Sequence, residues 1–381
     1  MKFLHTSDWH LGMAFRGGVS YADDQKHVIK KICEIATDEK VDGILLAGDV
    51  FDKSIASPEG LRIYDESMTH ICADLGIPVY LIAGNHDGAE RISQCNELLK
   101  KSGLFIAGAL SSEPQKISAD SVDIWLLPWI STDRVKAAYP DKADEISSME
   151  DAYKVVLDKY REAFTENHKN ILVAHAYIVD AETSVSDRAA EVGRATMVSA
   201  SVFEGFDYVA LGHLHGPQQV NEKIRYSGSP MAYSFGKEEK QEKSVTIIDT
   251  DTWEQKIVPI PQLHKRTTIT GTYEEIMKAD YDDDIKDGYV RLEVTDSYVG
   301  MDTVAAFRER YKRILEVSGK DFEREDAKIT MTIEDYENAG SDPETVFAQY
   351  CKDILEMAPS GHLLGLFKET LDEYEKEDVN G

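Results

Sequence analysis

The sequence is short of three things. It holds four cysteines in 381 residues, Cys33, Cys72, Cys95 and Cys351, and no two stand in CxxC spacing. That excludes a disulfide-stapled scaffold and a cysteine zinc site, and points to reduced thiols in the cytoplasm. No apolar run approaches the roughly 20 residues that a membrane-spanning helix needs. The opening MKFLHTSD runs from a short apolar strand straight into a polar loop, without the apolar core of a signal peptide, so no membrane association is expected. Positive charge is scarce too: 42 Lys and Arg stand against 70 Asp and Glu, a net charge of −28. A chain that grips nucleic acid alone carries a basic patch, because counterion release supplies much of the affinity. If the substrate is nucleic acid, metal ions or a partner must bring the positive charge.

What is present is an alternation of strand and helix signals. KFLHT is followed by DDQKHVIKKICEIATDEK, whose Val28, Ile29, Ile32, Cys33 and Ala36 share one helical face. VDGILLAGDVF reads as a buried strand, residues 59–75 as a helix, and IPVYLIAGNHD as a third strand. VDIWLLPW, NILVAHAY, FDYVALGH, KIRYSGS and SVTIID continue the series, with a more antiparallel second half expected over 223–249. Strands that are apolar throughout, alternating with helices, predict an α/β fold with the sheets covered on both faces. After residue 264 the texture changes. RTTITGTYEEIMKAD, GYVRLEVTD, TVAAFRERYKRILEV and AKITMTIEDY predict a small α+β domain over 265–340, its fourth element a helix through Val317. Beyond it, 341–381 carries two helical stripes, one with Val346, Phe347 and Tyr350, the other with Leu363, Leu364 and Phe367. Two such short helices cannot bury these faces against each other alone, which suggests a partner groove.

Five strand ends carry metal-type residues: Asp8 and His10, Asp49, Asn85 with His86 and Asp87, His175, and His213 with His215. In open α/β sheets, ligands gather outside the carboxyl ends of the strands. No serine or cysteine nucleophile stands in a comparable setting. Imidazole mixed with carboxylate suits Mn²⁺, Fe²⁺ or Zn²⁺, and seven ligands are too many for one ion but enough for two. An ion pair roughly 3.5–4 Å apart is the usual device for splitting phosphate esters: it lowers the pKa of a shared water and neutralises charge developing on phosphate. Gly48, Gly84 and Gly212 each precede one of these residues, which allows sharp departures from the strands.

The ordered set D-x-H, G-D-x-x-D, G-N-H-D, a lone His and G-H-x-H resembles the calcineurin-like metallophosphoesterases. LHTSDWHLG, AGDVFD, GNHD, FEGFDYVALGHLHGPQ and IRYSGSPMAYSF together are similar to the SbcD-type nuclease subunits of bacterial SbcCD complexes. The resemblance implies two packed mixed sheets flanked by helices over 1–264, a capping domain over 265–340, and a C-terminal two-helix segment over 341–381 that docks on the SbcC coiled coil. It implies that Asp8, His10 and His215 hold one divalent ion, that Asn85, His175 and His213 hold the other, and that Asp49 bridges them. His86 would act at the scissile phosphate. Asp52 lies where archaeal relatives can carry a histidine, which leaves that position without an assigned role. The implied activity is Mn²⁺-dependent DNA cleavage, 3′-to-5′ on duplex ends and endonucleolytic on single strands and hairpins. The implied assembly is a homodimer with two SbcC-type ATPase subunits, cytoplasmic and nucleoid-associated when acting on DNA.

His5, His27, His70, His168, His264 and His362 lie outside these motifs and read as structural, with His5 near enough to the first cluster to support it from behind. Trp9 and Trp129 read as packing, and Asp87 as an anchor for the loop that aims His86. Two other functions fit the same core: a phosphodiesterase for small substrates, against which the C-terminal additions argue, and a non-catalytic scaffold, against which the complete ligand set argues.

Overall fold

The computed structural model describes residues 1–14, 20–179, 181–183, 197–296 and 299–319, with 347, 367 and 368 beyond them. In chain order the strands are β1 (Lys2–Thr6), β2 (Gly43–Leu46), β3 (Val79–Ile82), β4 (Leu104–Ala107), β5 (Lys116–Ala119), β6 (Val122–Leu127), β7 (Lys169–His175), β8 (Tyr177–Ile178), β9 (Met197–Val198), β10 (Tyr208–Gly212), β11 (Gln218–Gln219), β12 (Ile224–Tyr226), β13 (Ser244–Asp249), β14 (Gln255–Pro259), β15 (Arg266–Gly271), β16 (Tyr289–Val294) and β17 (Arg313–Gly319). Two six-stranded sheets result, in the orders β14-β13-β1-β2-β3-β4 and β11-β12-β10-β7-β6-β5. The inner strands of each run parallel, and antiparallel partners close the sheets at β13, β14, β5 and β11.

The period of two along each strand explains the layers. Phe3, Leu45, Tyr80 and Ile82 of the first sheet meet Ile124, Leu126, Ile171 and Val173 of the second in a shared central core. Their neighbours Leu4, Ile44, Leu46, Val79 and Leu81 face the other way, into a core covered by helices Ala22–Asp38 and Pro58–Thr69. Leu172, Ala174, Val209 and Leu211 do the same on the second sheet, beneath helix Met149–Glu162. Both faces of every central strand are buried, which is why these strands read as unbroken apolar runs. The layers are helix, sheet, sheet, helix, as expected for the mixed-sheet core.

Three local readings need correction. The helix expected over 59–75 is α-helical over Pro58–Thr69, capped by Ser57 accepting from Gly60 N, and then widens into a π turn over His70–Asp74. The stretch 223–249 is only partly antiparallel, because β12 runs parallel to β10 while β13 leaves for the first sheet and pairs with β1. The helix expected through Val317 stops at Arg310, and Arg313–Gly319 is β17. Tyr311 turns the backbone extended there, its ring buried and its hydroxyl donating to Ile276 O at 2.9 Å.

By contacts, Met1–Glu293 and Val299–Val317 form one compact unit, and Val294–Tyr298 with Ser318–Gly381 a second. In the first, Asp24 on helix Ala22–Asp38 accepts from Tyr289 Oη at 2.8 Å and lies 3.1 Å from His264 Nδ1; β15, β16 and β17 make a small three-stranded sheet. In the second, Phe347 and Phe367 stack at 4.1 Å, one ring from each expected stripe. The expected strand AKITMTIEDY, Cys351, His362 and the remainder of the two stripes lie outside the described residues.

Candidate metal centre

The parallel strands deliver their carboxyl ends to one place. Asp8 and His10 follow β1, Asp49 follows β2, Asn85 and His86 follow β3, His175 ends β7, and His213 and His215 follow β10. Hydrogen bonds stitch these exits together: Asp8 N donates to Gly48 O at 2.9 Å, His10 N to Asp49 O at 3.0 Å, and His213 N to the Asp8 carboxylate at 3.1 and 3.2 Å. Asp8, His10, Asp49, His175, His213 and His215 are all buried, while Asn85 and His86 are partly exposed and form the mouth.

Two groups of side-chain atoms can be traced. In the first, Asp8, His10 and His215 bring ligand atoms within 4.8 Å of one another, and the Nε2 atoms of His10 and His215 face each other at 3.0 Å. In the second, Asn85 Oδ1 lies 2.9 Å from His175 Nε2 and 3.1 Å from His213 Nδ1. Asp49 Oδ2 stands between them, 3.8 Å from His10 Nε2 and 3.4 Å from His175 Nε2. All seven expected ligands and His86 therefore meet. The donors are imidazole nitrogen, carboxylate and amide oxygen, a set that fits a pair of borderline divalent cations. Buried His10 Nδ1 has no hydrogen-bond partner, so the ring's place is set by its Nε2 contacts and by packing on Tyr233, His86 and His215.

Electrostatics reflect crowding. Burial pushes Asp8 up to about 6 against the pull of His175 and His215. Burial also pushes on Asp49, but His175, His10 and His86 outweigh it and hold that carboxyl well below its usual range. Burial opposes charge on His175, yet Asp49 beside it raises the ring to about 9. Burial, reinforced by His175, drives His213 down to about 3. The buried Asp8 and Asp49 carboxylates oppose each other in a low-dielectric interior, an arrangement that a bound cation would relieve.

The supporting shell is specific. His175 Nδ1 donates to Ala47 O at 2.8 Å, which leaves Nε2 for the cluster. A Cβ on Gly84 would sit 2.2 Å from Asp49 Oδ1, so only glycine lets β3 exit past the central carboxylate. Asp87 accepts from Gly84 N (2.8 Å), Phe51 N (2.9 Å) and Val50 N (3.2 Å), tying the loop after β3 to the loop after β2, and burial pushes its carboxyl up to about 6. His86 Nδ1 donates to Asp52 O at 2.8 Å, and His86 N to Asp49 Oδ1 at 2.9 Å. The Asp52 carboxylate also comes within 4.8 Å of His10 and His86. Trp9 is buried as packing, donating to Thr6 Oγ1. Trp129 does more: its ring stacks on His213 at 5.7 Å and 18° and meets His175 edge-on. Sequence reasoning missed Tyr233, Glu238 and Lys243. The last two stand in the charged run KEEKQEK, where nothing in residue type separates buried members from their neighbours.

The calcineurin-like phosphoesterase profile matches residues 1–217, more than half of the chain. The chain belongs to the calcineurin-like phosphoesterase family. It is a metal-dependent phosphodiesterase by fold and by the residues gathered at its strand ends. Among curated proteins it is 29% identical over 93% of its length to the SbcD subunit of the nuclease SbcCD from Staphylococcus epidermidis, covering 94% of that relative. It is 28% identical to the protein of the same name from Staphylococcus saprophyticus, over 93% of each chain. Among solved structures it is similar to a dimetal phosphatase from Danio rerio at 11% identity and a TM-score of 0.36, over 59% of this chain and 86% of that one. Among the described residues, no helix is long and apolar enough to cross a membrane.

Proposed function

We propose that the chain is the nuclease component of an SbcCD-type complex, cutting DNA with two divalent ions, Mn²⁺ in preference. The observation that carries this reading is similarity along nearly the whole length to proteins named as that component, joined to convergence of the candidate ligands, Asn85 meeting His175 and His213 beside the Asp and His groups. In this reading Asp8, His10 and His215 would hold one ion, Asn85, His175 and His213 would hold the other, and Asp49 would serve both. When bound, the ions lower the pKa of water and offset charge on phosphate oxygens. His86 stands at the open side of the cluster. Its Nδ1–H donates to the Asp52 carbonyl, which leaves Nε2 free to meet the scissile phosphate; only in the doubly protonated imidazolium form would Nε2 donate a proton to the leaving oxygen. The buried histidines and carboxylates would be taken up in holding the ions, and their burial keeps bulk water from the cluster.

The chain works as a homodimer with an SbcC-type ATPase, two of each, acting 3′-to-5′ on duplex ends and endonucleolytically on hairpins and single strands. Residues 265–340 help position DNA, and 341–381 dock on the ATPase coiled coil. The net charge of −28 favours this division of labour, since the partner then supplies the cationic surface. The test is cleavage of end-labelled duplex and hairpin DNA by the purified chain with Mn²⁺, Mg²⁺ or chelator, beside Asp8→Ala. Mn²⁺-dependent cutting that disappears in the variant is expected. Turnover of a bis-aryl phosphodiester with no DNA cleavage, even with the ATPase partner and ATP present, would replace this reading by that of a small-substrate phosphodiesterase.

A further inference from the structure

The main-chain carbonyl of His215 receives an unusual number of donors. Ser229 N reaches it at 3.1 Å, Ser229 Oγ at 3.4 Å and Lys243 Nζ at 2.9 Å. Lys243 also donates to Ser229 Oγ at 3.1 Å and pairs with Glu238 Oε2 at 3.0 Å. The side chains of Lys243 and Glu238 are 1% and 0% exposed, so this is an ion pair wholly removed from water. Glu238 in turn accepts from Tyr233 N at 3.0 Å and from Ser234 Oγ, which fixes the segment carrying Tyr233. The Tyr233 ring packs on both His10 and His215. Glu238 Oε1 lies 4.0 Å from His215 Nδ1, on the ring edge opposite the Nε2 that faces His10.

A buried ion pair is poor evidence of stability, because desolvation consumes much of its attraction and an apolar pair of the same size often serves as well. Its position behind one candidate ligand gives it another use. At 4.0 Å the Glu238 carboxylate is beyond hydrogen-bond reach of Nδ1, but its charge favours the tautomer with the proton on that nitrogen, which leaves Nε2 with a lone pair for a cation. We propose that Glu238 and Lys243 are positioning residues for His215: they fix its main chain and turn its Nδ1 toward a carboxylate, so that Nε2 is presented to the cluster. The inference rests on the dimetal reading above.

The test is Mn²⁺ titration of the metal-stripped full chain, followed by the EPR signal of free Mn²⁺ and paired with thermal unfolding. Three proteins are compared: wild type, Glu238→Gln/Lys243→Met, and Asp24→Asn, which weakens the buried Asp24–Tyr289 contact outside the candidate ligand set. The double substitution removes both charges together, so neither is left buried alone. It is expected to keep its melting temperature yet bind one Mn²⁺ about 10- to 100-fold more weakly. Asp24→Asn is expected to lose stability without losing affinity. Wild-type affinity for both ions in the double variant overturns the inference, as does an affinity loss that Asp24→Asn reproduces. If the double variant does not fold, Glu238→Asp, which keeps the charge and withdraws the carboxylate by one methylene, is judged by the same criteria. A wild-type chain that binds no Mn²⁺ overturns the dimetal reading itself and this inference with it.

Discussion

At the scale of single residues, four members of the cluster hold backbone conformations that side-chain-bearing residues rarely adopt. Asp8, His10, Asp49 and His213 have φ of 54°, 44°, 50° and 104°. Each costs on the order of 1–3 kcal/mol and persists only where the surroundings over-determine it. Here the hydrogen bonds among the strand exits do so, and the result turns consecutive side chains into one small volume. His86 shares the site without that strain, held through its Nδ1 and its main-chain N–H. His86→Ala is accordingly expected to retain Mn²⁺ stoichiometry while cleavage falls about 10²- to 10⁴-fold; normal cutting by that variant would remove the proposed role. His5 illustrates the opposite case, a histidine whose two ring nitrogens are both spent on structural contacts. It bridges the sheets, with Nδ1 at 3.0 Å from Tyr208 Oη and Nε2 at 3.1 Å from Leu211 O. Burial holds its pKa down at about 3. The folded state therefore refuses a proton that the unfolded chain accepts below its ordinary pKa of about 6.5. Stability present above that pH is lost as pH falls toward 3, by about 1.4 kcal/mol per unit. His5→Gln should flatten the acid side of the stability profile by that increment, read from urea midpoints at pH 7 and pH 5. An unchanged slope would mean that His5 titrates normally.

At the scale of elements, periodicity did most of the sequence-level work. Apolar strands with both faces buried and helices with one apolar stripe are visible as patterns. RILEV at 313–317 is the instructive failure. A short apolar run satisfies a helical stripe and a strand equally, and what ended the helix was the burial of Tyr311 against Ile276, a contact that no local pattern encodes. The same small sheet depends on Asp24, which serves Tyr289 Oη and sits against His264. Asp24→Ala leaves the buried hydroxyl without its acceptor, so about 1–3 kcal/mol of stability is expected to be lost, with the π turn at His70–Asp74 and the metal cluster unaffected. Chemical denaturation together with Mn²⁺ binding checks this; a variant as stable as wild type would show the contact to be incidental.

At the scale of the whole molecule, an acidic chain that is to act on DNA must borrow positive charge. The two expected C-terminal stripes are where a partner is to be sought. A chain ending near Gly340 is expected to keep Mn²⁺-dependent cleavage of short DNA and to fail to retain an SbcC-type ATPase in a pull-down. Retained binding would place the docking surface elsewhere.

The sequence by itself determined the alternation of elements, the burial of the central strands and the identity of the residues that meet at their carboxyl ends. Those follow from side-chain period and from chemistry-bearing residues placed directly after apolar runs. Only the tertiary structure decided that β13 crosses back to pair with β1, that Trp129 stacks on His213, and that Glu238 and Lys243 leave a charged run to lie buried behind His215. The physical reason is separation along the chain. These contacts join segments tens to hundreds of residues apart, and a Lys or Glu in a polar run has the same local signature whether it ends in water or in the core.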